Sequence, residues 1–400
     1  MSKNITLIIM SAGESSRFRQ DSTKFLDSTK KQNPNTQNQK NRIKKHWIRI
    51  NGIPIWLYMA NRLQEKYNFK KVLITAHKDE VSYMRRFCEY EIIEGGNSRQ
   101  ETLQNALKIV NSEFVCVSDA ARFNLDFDVL DRLFSFDLDS LDCLAPVLNV
   151  VDTIFLREDS KLNYLNRDNV KLVQTPQISR LNVLKKALKL GNFSDESSAI
   201  NAYGGRIATI TGSKNLEKLT YFSDLKNFAL NGISFDKTSD NFTGFGFDVH
   251  KFVKNKEMTL GGIKIDCGFG FEAHSDGDVL IHSLCDAFLG SIGAGDIGEW
   301  FPPSSDEFKD IDSKILLKKV IDFVYGIGFR IVNIDIMILA EIPKINPHKD
   351  EMIKCIAQIL QIEKNKINIK ATTMEKMGFI GRGEGVCVSS NVSLKYSLEF

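Results

Sequence analysis

Three of the six histidines in this 400-residue chain lie between residues 243 and 302, together with several carboxylates. Asp248 and His250 are two positions apart, so both side chains lie on one side of an extended strand. His282 follows in an apolar segment that has helical spacing. One carboxylate and two imidazoles can occupy three of the four tetrahedral positions around zinc and leave the last for a substrate. We predict a catalytic metal site at these three residues; hydrogen-bonded structural histidines are the alternative.

The helix that carries His282 is predicted to begin at the cap-like residues Ser275 and Asp276. Its spacing places Asp278, His282 and Asp286 on one face. Metal-binding histidines usually hydrogen-bond a carboxylate or carbonyl through their second ring nitrogen. Asp286 is therefore the predicted partner of His282.

The composition argues against several classes of protein. Hydrophobic residues make up 42% of the chain and charged residues 26%, and the length favours two or three domains. A net charge of +3 gives no indication of nucleic-acid or membrane binding. The seven cysteines form no C-x-x-C pair, and no apolar run approaches the roughly 20 residues of a membrane span. We expect a reduced, cytoplasmic protein.

Apolar runs alternate with helix-like segments through the first half of the chain. Residues 5–13 read ITLIIMSAG, which predicts a buried strand and a polar loop, and residues 70–76 and 113–122 contain further strands. Residues 94–110 predict a glycine turn followed by a helix that Ser98 caps. This alternation predicts a mostly parallel sheet with helices on both faces. The first loop matches neither a phosphate loop nor the G-x-G-x-x-G motif.

Polar side chains collect where these predicted strands end. Such edges bind ligands in open α/β sheets. Basic residues around one carboxylate suit a nucleoside triphosphate and a second anion, because positive side chains and Mg²⁺ neutralise the charge on a transferring phosphorus. The residues are Arg17, Asp119, Arg122, Thr153, Thr175 and Lys218.

Residues 20–44 are rich in Asn, Gln and Lys and contain few large apolar residues. Such a stretch buries too little surface to offset the entropy lost on ordering. We predict a flexible, solvated insertion here, with ordered structure from about residue 44.

Several segments of the first half resemble 2-C-methyl-D-erythritol 4-phosphate cytidylyltransferase over residues 5–230. They are, in order, SAGESSR, KKHWIRINGIPIW, EGGNSRQET, SDAAR, DT, TPQ, DESSA and KLT. The resemblance implies a Rossmann-like nucleotidyltransferase sheet, an arm that forms a dimer, Mg²⁺ on the nucleotide phosphates, and charge stabilisation by Arg17, Lys45 and Lys218. The substrate-binding residues that it implies are Ala12, Gly13, Gly96, Asn97, Thr102, Asp119, Arg122, Thr153, Arg167 and Thr175, with Arg167 acting across the dimer.

Two features differ from that family's pattern. Ser118 and Phe123 stand where the family has histidine and proline in its H-D-A-A-R-P motif. The insertion also separates the loop arginine from the lysine that the family places seven residues later. Spacing selects Lys24 and sequence context selects Lys45; we choose Lys45, because Lys24 lies in a stretch too polar to be fixed.

Four segments of the second half resemble 2-C-methyl-D-erythritol 2,4-cyclodiphosphate synthase over residues 242–400. They are GFDVHKF, AHSDGDVLIHSLCDA, GDIGEWFP and KATTMEKMGFIGRGEG. The resemblance implies an α/β (α+β) domain that forms a homotrimer, with Thr373 as a catalytic residue and zinc as the expected metal, Mg²⁺ or Mn²⁺ being the alternatives. The substrate-binding residues that it implies are His274, Ser275, Asp296, Ile297, Gly298, Phe301, Ala340, Lys344, Thr372, Glu375, Phe379 and Arg382.

Residue frequencies alone favour core positions for Phe269, Phe301 and Phe379. Pro303 stands where the family often has aspartate, which affects a contact on the phosphate side.

The two resemblances predict a fused enzyme of non-mevalonate isoprenoid synthesis. Its parts are a cytidylyltransferase domain (1–230), a linker (231–241) and a cyclodiphosphate synthase domain (242–400). The first would join CTP and methylerythritol phosphate with release of pyrophosphate; the second would convert CDP-methylerythritol 2-phosphate to the cyclic diphosphate and CMP. A separate kinase acts between these steps and is a candidate partner. The alternatives are another sugar-phosphate nucleotidyltransferase joined to a metal-dependent hydrolase, and a chain with one half kept as an inactive scaffold.

Overall fold

The computed structural model describes two compact units. It covers residues 4–29, 42–159, 161–273, 275–302, 304, 305, 308 and 311–400, with residues 23–29 described by their backbone alone. The first unit contains residues 4–18 and 45–235, and the second contains residues 19–29, 42–44 and 236–400.

The first half of the chain alternates strands and helices, as predicted. Its strands are β1 (Ile5–Met10), β2 (Arg49–Ile50), β3 (Ile53–Pro54), β4 (Lys71–Ala76), β5 (Glu91–Glu94), β6 (Phe114–Asp119), β7 (Cys143–Asn149), β8 (Ile154–Glu158), β9 (Lys161–Leu165), β10 (Lys171–Val173), β11 (Gln177–Arg180) and β12 (Ile207–Thr211). Its helices are α1 (Ser16–Thr29), α2 (Ile55–Tyr67), α3 (Val81–Met84), α4 (Arg99–Leu107), α5 (Phe127–Ser135), α6 (Leu181–Ala187), α7 (Glu196–Tyr203) and α8 (Asp224–Leu230).

Eight of these strands form one mixed sheet in the order β10-β7-β11-β6-β1-β4-β5, with β12 also pairing with β7. The pairs β1–β4, β1–β6, β4–β5 and β12–β7 are parallel. Strand β11 runs antiparallel to both β6 and β7, and β10 runs antiparallel to β7. The predicted α/β fold is confirmed, and β6 ends at Asp119 beside the carboxyl end of β1.

The core of this unit explains why β1 and α4 form where the sequence predicts them. Strand β1 is apolar and buried on both faces, as central parallel strands are. Helix α4 begins at Ser98, whose side chain accepts a hydrogen bond from the Glu101 N–H at 3.0 Å. Its buried residues pack with those of the sheet in one cluster that includes Ile8, Leu73, Leu103, Leu107 and Val115. Each fully buried side chain of this size stabilises the fold by about 1.5–3 kcal/mol.

The second unit is built on a five-stranded sheet in the order β16-β13-β19-β17-β18. Its strands are β13 (Thr238–Lys254), β14 (Met258–Leu260), β15 (Ile263–Ile265), β16 (Phe269–Phe271), β17 (Phe329–Leu339), β18 (Ile367–Thr372) and β19 (Gly385–Ser397). Its helices are α9 (Val279–Ser291), α10 (Ile297–Trp300), α11 (Ser313–Gly326), α12 (Lys349–Leu360) and α13 (Gly378–Gly381).

Two glycines of β13 allow α9 to lie directly on the sheet. A Cβ atom at Gly246 would overlap the backbone carbonyl of Ser283, and one at Gly244 would overlap that of Ala287. Because only glycine permits this approach, the sequence of β13 fixes the position of α9 and of the His282 that it carries.

Residues 20–44 differ from the predicted insertion at both ends. Helix α1 continues through residues 20–29, where the sequence analysis predicts a flexible segment. Ile43 is fully buried within the second unit, and the Lys44 N–H donates to the Gly326 carbonyl at 2.8 Å. Helical hydrogen bonds and the burial of one isoleucine give these residues regular structure despite their polar composition. Residues 30–41 lie outside the described part of the chain.

Two predicted boundaries also differ. Strand β13 begins at Thr238, so residues 238–241 of the predicted linker 231–241 belong to the second sheet. Helix α9 begins at Asp278 rather than at Ser275 or Asp276, because the Asp278 carboxylate accepts a hydrogen bond from the Ile281 N–H at 3.1 Å.

Candidate active sites

A cavity of about 530 Å³ lies at the carboxyl ends of β1, β4 and β6 in the first unit. The loops after these strands form its walls, as is usual at the ligand-binding edge of an open α/β sheet. It brings together eight of the predicted site residues: Ala12, Gly13, Lys45, Gly96, Asn97, Thr102, Asp119 and Lys218.

Lys45 is held on the wall of this cavity by two hydrogen bonds. Its Nζ donates to the carbonyl of Leu219 at 3.0 Å, and its backbone N–H donates to Ser15 Oγ at 3.1 Å. Burial, together with the positive charge of Lys218, lowers the pKa of Lys45 to about 8. A poorly hydrated ammonium group of this kind gains strongly from an anionic ligand.

A second cavity, of about 620 Å³, shares Arg99, Asp119 and Lys218 with the first. Arg122 and Thr175, two further predicted residues, also line it. The shared residues therefore lie where ligands in the two cavities would meet.

Asp119 holds its carboxylate between two cations. Lys218 Nζ donates to Oδ2, and Arg99 Nε donates to Oδ1 at 3.3 Å. Burial raises the pKa of Asp119, but the positive charges of Arg99 and Lys218 outweigh burial and hold it at about 2. The group is ionised at neutral pH and can accept hydrogen bonds from a ligand.

The two residues that differ from the family pattern fit into the fold. Ser118 is fully buried, and its Oγ lies 3.4 Å from Thr175 Oγ1. Thr175 Oγ1 also accepts a hydrogen bond from the Asp119 N–H at 3.2 Å. Phe123 is 1% exposed, and its ring centroid lies 5.0 Å from that of Phe228. With these two residues in place, the Asp119 carboxylate is bound by Lys218 and Arg99.

Three predicted residues are not among the described residues that line the two cavities: Arg17, Thr153 and Arg167. Arg17 is exposed in the first turn of α1, close enough for its charge to contribute to lowering the pKa of Lys45. Thr153 and Arg167 are exposed at the hairpin of β8 and β9, and Arg167 Nη1 donates to the Val151 carbonyl at 2.6 Å. Lys24 lies in α1, and its side chain is outside the described atoms.

In the second unit, Asp248, His250 and His282 meet as predicted. One ligand atom from each lies within 4.8 Å of the other two. Asp248 Oδ2 lies 3.2 Å from His250 Nε2 and 3.4 Å from His282 Nδ1. Although burial raises the pKa of Asp248, hydrogen bonds from both histidines hold it below its usual range, which keeps the carboxylate ionised. These two nitrogens and one oxygen form a donor set that fits a divalent metal.

The second ring nitrogen of each histidine has its own partner. His250 Nδ1 hydrogen-bonds the Gly277 carbonyl at 2.8 Å, and His282 Nε2 lies 3.0 Å from Ser313 Oγ. The predicted pairing of His282 with Asp286 is wrong. Asp286 Oδ1 instead accepts from the Ile297 N–H at 2.8 Å, because α10 packs against that face of α9.

Predicted residues of the nucleotide side lie at the ends of β17 and β18. These strands are parallel and pair Leu339 with Thr372, so the loops that follow them are neighbours. The Ala340 N–H donates to the Thr372 carbonyl at 3.1 Å, and Thr373 Oγ1 donates to Glu375 Oε1 at 2.7 Å. Lys344 is exposed nearby in sequence, and Arg382 Nε donates to Glu384 Oε1 at 2.6 Å.

The remaining predicted residues lie around α9 and α10. Ser275 Oγ is 3.2 Å from His282 Nε2, and Asp296 caps α10, which contains Ile297 and Gly298. Phe301 is 9% exposed and occupies the core, whereas Phe379 is 47% exposed, which contradicts a core position. His274 and Pro303 lie outside the described residues.

Residues that the sequence analysis misses also occupy these sites. Arg99 lies on the walls of both cavities of the first unit. Its motif, EGGNSRQET, marks the loop, but nothing in the residue spacing distinguishes this arginine. In the second unit, Glu341 Oε1 accepts hydrogen bonds from the Met374 and Lys376 N–H groups, at 3.1 and 3.2 Å, and so shapes the loop that holds Thr373 and Glu375.

Fold and sites define a two-domain enzyme, in which a nucleotidyltransferase sheet is joined to a domain with a metal-binding Asp-His-His cluster. The family profile described as 2-C-methyl-D-erythritol 4-phosphate cytidylyltransferase matches residues 36–230, and that of the YgbB family matches residues 242–395. Two proteins named bifunctional enzyme IspD/IspF are similar over 98% of this chain and 98% of their own. The Aliarcobacter butzleri protein is 43% identical and the Campylobacter hominis protein 44% identical.

The solved structure of the bifunctional IspDF from Campylobacter jejuni is 43% identical, with a TM-score of 0.77 over 98% of each chain. The chain belongs to the bifunctional IspD/IspF family. It is a nucleotidyltransferase and a phosphorus-oxygen lyase of non-mevalonate isoprenoid synthesis, with a cytidylyltransferase domain followed by a cyclodiphosphate synthase domain. Nothing in its described residues favours the alternative of an inactive scaffold half.

None of the helices in the described part of the chain combines the length and apolar character needed to cross a membrane.

Proposed function

We propose that the two cavities of the first unit bind the two substrates of a cytidylyl transfer. CTP would occupy the cavity that Lys45 lines, and methylerythritol phosphate would occupy the cavity that Arg122 and Thr175 line. A phosphate oxygen of the sugar phosphate attacks the α-phosphorus of CTP, the bond from that phosphorus to the β-phosphate oxygen breaks, and pyrophosphate leaves. The observation that carries this proposal is that Asp119 and Lys218 line both cavities.

Charge stabilisation in this step falls to Arg17, Lys45 and Lys218. Positive groups aimed at a transferring phosphorus act most strongly where burial excludes water. Lys45 meets this condition, since burial lowers its pKa to about 8, and Lys218 lies on the wall of the same cavity. Mg²⁺ on the nucleotide phosphates would supply further neutralisation when bound.

The remaining residues of the first unit hold the substrates. The nucleotide side of the cavity assigned to CTP is formed by Ala12, Gly13, Gly96, Asn97 and Thr102. Backbone groups there would approach the ligand closely. Asp119 accepts hydrogen bonds from the hydroxyl groups of the sugar phosphate, and Arg122 and Thr175 bind it from the far wall.

Thr153 and Arg167 act on the sugar phosphate of a neighbouring subunit in a homodimer. Both lie at the β8–β9 hairpin, which exposes the apolar side chains of Phe155, Leu156 and Tyr164 by 43–67%. Exposed apolar patches of this kind mark protein interfaces. A dimer that covers the hairpin would carry Arg167 to a partner's cavity.

The second unit catalyses the cyclisation. The 2-phosphate of CDP-methylerythritol 2-phosphate attacks the β-phosphorus, the bond from that phosphorus to the oxygen of the cytidylyl phosphate breaks, and CMP leaves. Asp248, His250 and His282 would hold a zinc ion, which when bound supplies Lewis-acid polarisation of a phosphate oxygen. The ligand atoms are close enough to share one ion, since Asp248 Oδ2 lies 3.2 Å from His250 Nε2 and 3.4 Å from His282 Nδ1.

The loops after β17 and β18 bind the cytidine diphosphate part, with Thr373 as the catalytic residue. The support is their adjacency at one sheet edge. The residues of this group are Ala340, Lys344, Thr372, Thr373, Glu375, Phe379 and Arg382. The residues on the metal side are His274, Ser275, Asp296, Ile297, Gly298 and Phe301.

Homotrimer contacts in the second unit would complete each of these sites with a neighbouring subunit. Strand β13 exposes Phe245, Phe247 and Val249 by 42–61%, a strip of alternate residues on one face of the sheet. Dimer contacts in one domain and trimer contacts in the other can build a closed assembly. Such an assembly could recruit the kinase of the intervening step. We place the protein in the cytoplasm, with a first domain that ends at about residue 235 and a second that begins at about residue 236.

Product analysis with separate substrates tests this proposal. With methylerythritol phosphate, Mg²⁺ and CTP, UTP or GTP in turn, only CTP should release pyrophosphate. With CDP-methylerythritol 2-phosphate and zinc, the protein should release CMP and the cyclic diphosphate. Preference for UTP or GTP, or hydrolysis to an open-chain product, would favour the alternative of another nucleotidyltransferase joined to a hydrolase.

A further inference from the structure

Glu196 is a fully buried carboxylate next to the cavities of the first unit, at the start of α7. Its Oε1 accepts a hydrogen bond from Arg99 Nη1 at 2.9 Å. Its Oε2 has no hydrogen-bond partner among the described residues. Burial raises the pKa of Glu196, and Arg99 opposes that shift. Burying a charge is costly unless it is paired, so the position of Glu196 depends on Arg99.

The Arg99 side chain also binds a second carboxylate, that of Asp119. Its Nε donates to Asp119 Oδ1 at 3.3 Å, and Lys218 binds the second oxygen of that carboxylate. The charges therefore alternate in the order Glu196, Arg99, Asp119 and Lys218. Only the last three line the cavities, and Glu196 lies behind them.

We infer that Arg99, held by Glu196, is a positioning residue that orients the Asp119 carboxylate toward the sugar phosphate. The inference rests on the proposed role of Asp119. A carboxylate with one oxygen bound by a guanidinium and the other by an ammonium has little rotational freedom. The Arg99 guanidinium is planar and is fixed by its hydrogen bond to the Glu196 carboxylate. It therefore holds the Asp119 carboxylate in a defined orientation.

This arrangement predicts that a change at Arg99 weakens the binding of one substrate more than that of the other. Arg99 acts through Asp119, and Asp119 is proposed to bind the sugar phosphate rather than the triphosphate. A misoriented Asp119 would lose much of its hydrogen bond to the sugar phosphate, and the loss of a hydrogen bond to a charged group typically lowers affinity by about tenfold to a hundredfold. Because Arg99 also lines the nucleotide cavity, Arg99→Met should raise both KM values, and KM for methylerythritol phosphate should rise by the larger factor.

The acid limb of the pH profile gives a second readout. The charged groups that act on Asp119 are Arg99, Lys218, Arg122, Lys45 and Glu196. Removal of Arg99 takes away a positive charge, so the pKa of Asp119 should rise from about 2. As the pH is lowered, kcat/KM for the sugar phosphate should therefore begin to fall at a higher pH in Arg99→Met than in the wild type.

A double variant separates positioning from structural support. Arg99→Met leaves Glu196 buried without its partner, so the melting temperature should fall; adding Glu196→Gln should recover much of that loss. The raised KM for the sugar phosphate should persist in the double variant. A KM that returns to the wild-type value together with the melting temperature would mean that Arg99 only stabilises the fold, and would overturn the inference.

Arg180→Met is the matched control. Arg180 has a side chain 25% exposed, against 29% for Arg99, and pairs with Glu113 at 2.7 Å, but it lines neither cavity. The Arg180→Met variant should have a lower melting temperature, but its two KM values should not change by different factors.

Asp119→Asn tests the proposed role of Asp119, on which the inference rests. If that variant turns over normally, the proposed role of Asp119 fails; if it loses sugar-phosphate binding while the double variant binds normally, only the role of Arg99 fails.

Discussion

The Nζ of Lys45 donates a hydrogen bond to the backbone carbonyl of Leu219, 3.0 Å away. Leu219 directly follows Lys218, so one short segment fixes both lysines of the nucleotide cavity. The proximity of the two charges adds to the effect of burial on Lys45, whose pKa is about 8.

The pH dependence of cytidylyl transfer should reflect this pKa. In the proposed function the protonated form of Lys45 binds the triphosphate, and its pKa in the free enzyme is lowered to about 8. We therefore expect kcat/KM for CTP to be constant below this pH and to fall as pH rises through about 8. In Lys45→Arg the guanidinium stays protonated, so the fall should disappear even if activity is lower. A wild-type profile that stays flat to pH 10 would contradict the assignment.

Lys45 and Lys24 can be compared directly. Lys45→Ala should lower kcat/KM for CTP by about 10²–10³-fold, the typical loss for one stabilising donor at a reacting centre. Lys24→Ala should remain near the wild-type value, with melting temperatures similar in both variants. Steady-state kinetics decides between them, and the opposite pattern would transfer the role to Lys24.

The metal site gives a prediction that does not depend on turnover. His282→Ala removes one of the three proposed ligands, so the purified protein should contain much less than one zinc per chain by elemental analysis. His348→Ala, which changes a histidine of the same unit outside the cluster, should retain the metal. Full metal content together with intact cyclisation in His282→Ala would mean that these histidines are structural.

The contact between β13 and α9 predicts a packing effect. Gly246→Ala places a Cβ atom against the Ser283 carbonyl and should destabilise the second unit by about 1–3 kcal/mol. Since α9 carries His282, this variant should also lose metal more readily. Gly326→Ala is the control, because a Cβ atom there meets no atom within 4 Å and alanine is favoured in helices. Calorimetry and zinc retention should separate the two, and equal melting temperatures would show that β13 and α9 can move apart.

Residue spacing predicts the metal cluster because its geometry is local to each element. Asp248 and His250 share one side of a strand whatever surrounds it, and His282 needs only a helix of the expected phase. The apolar run of β1 predicts a buried strand for the same reason. These features follow from periods of two and 3.6 residues.

Other features depend on contacts between distant parts of the chain. Arg99 and Glu196 are 97 positions apart, and no local pattern pairs them. Asp286 is on the predicted face of α9, but α10 places the Ile297 N–H beside it. The Asp286 carboxylate therefore accepts a hydrogen bond from Ile297 and does not pair with His282. Ser275, Asp276 and Asp278 can all cap a helix, and the choice of Asp278 depends on the Gly261 and Gly262 N–H groups that also bind it, at 2.9 and 2.6 Å.

The last prediction concerns the step between the two reactions. The product of cytidylyl transfer carries a free 2-hydroxyl, whereas the cyclisation needs a phosphate at that position as its nucleophile. The sequence contains no G-x-x-x-x-G-K-[ST] phosphate loop with which a kinase would bind ATP. Given methylerythritol phosphate, CTP, Mg²⁺ and zinc, the purified protein should therefore release pyrophosphate and accumulate CDP-methylerythritol.

CMP and the cyclic diphosphate should appear only when a separate kinase and ATP are added. Phosphorus-31 NMR of the reaction mixture distinguishes all of these products. Supplying CDP-methylerythritol 2-phosphate directly is the control, because it bypasses the kinase and should restore CMP release. Cyclic diphosphate formed from the first substrates without any kinase would contradict the division of the two reactions between the two domains.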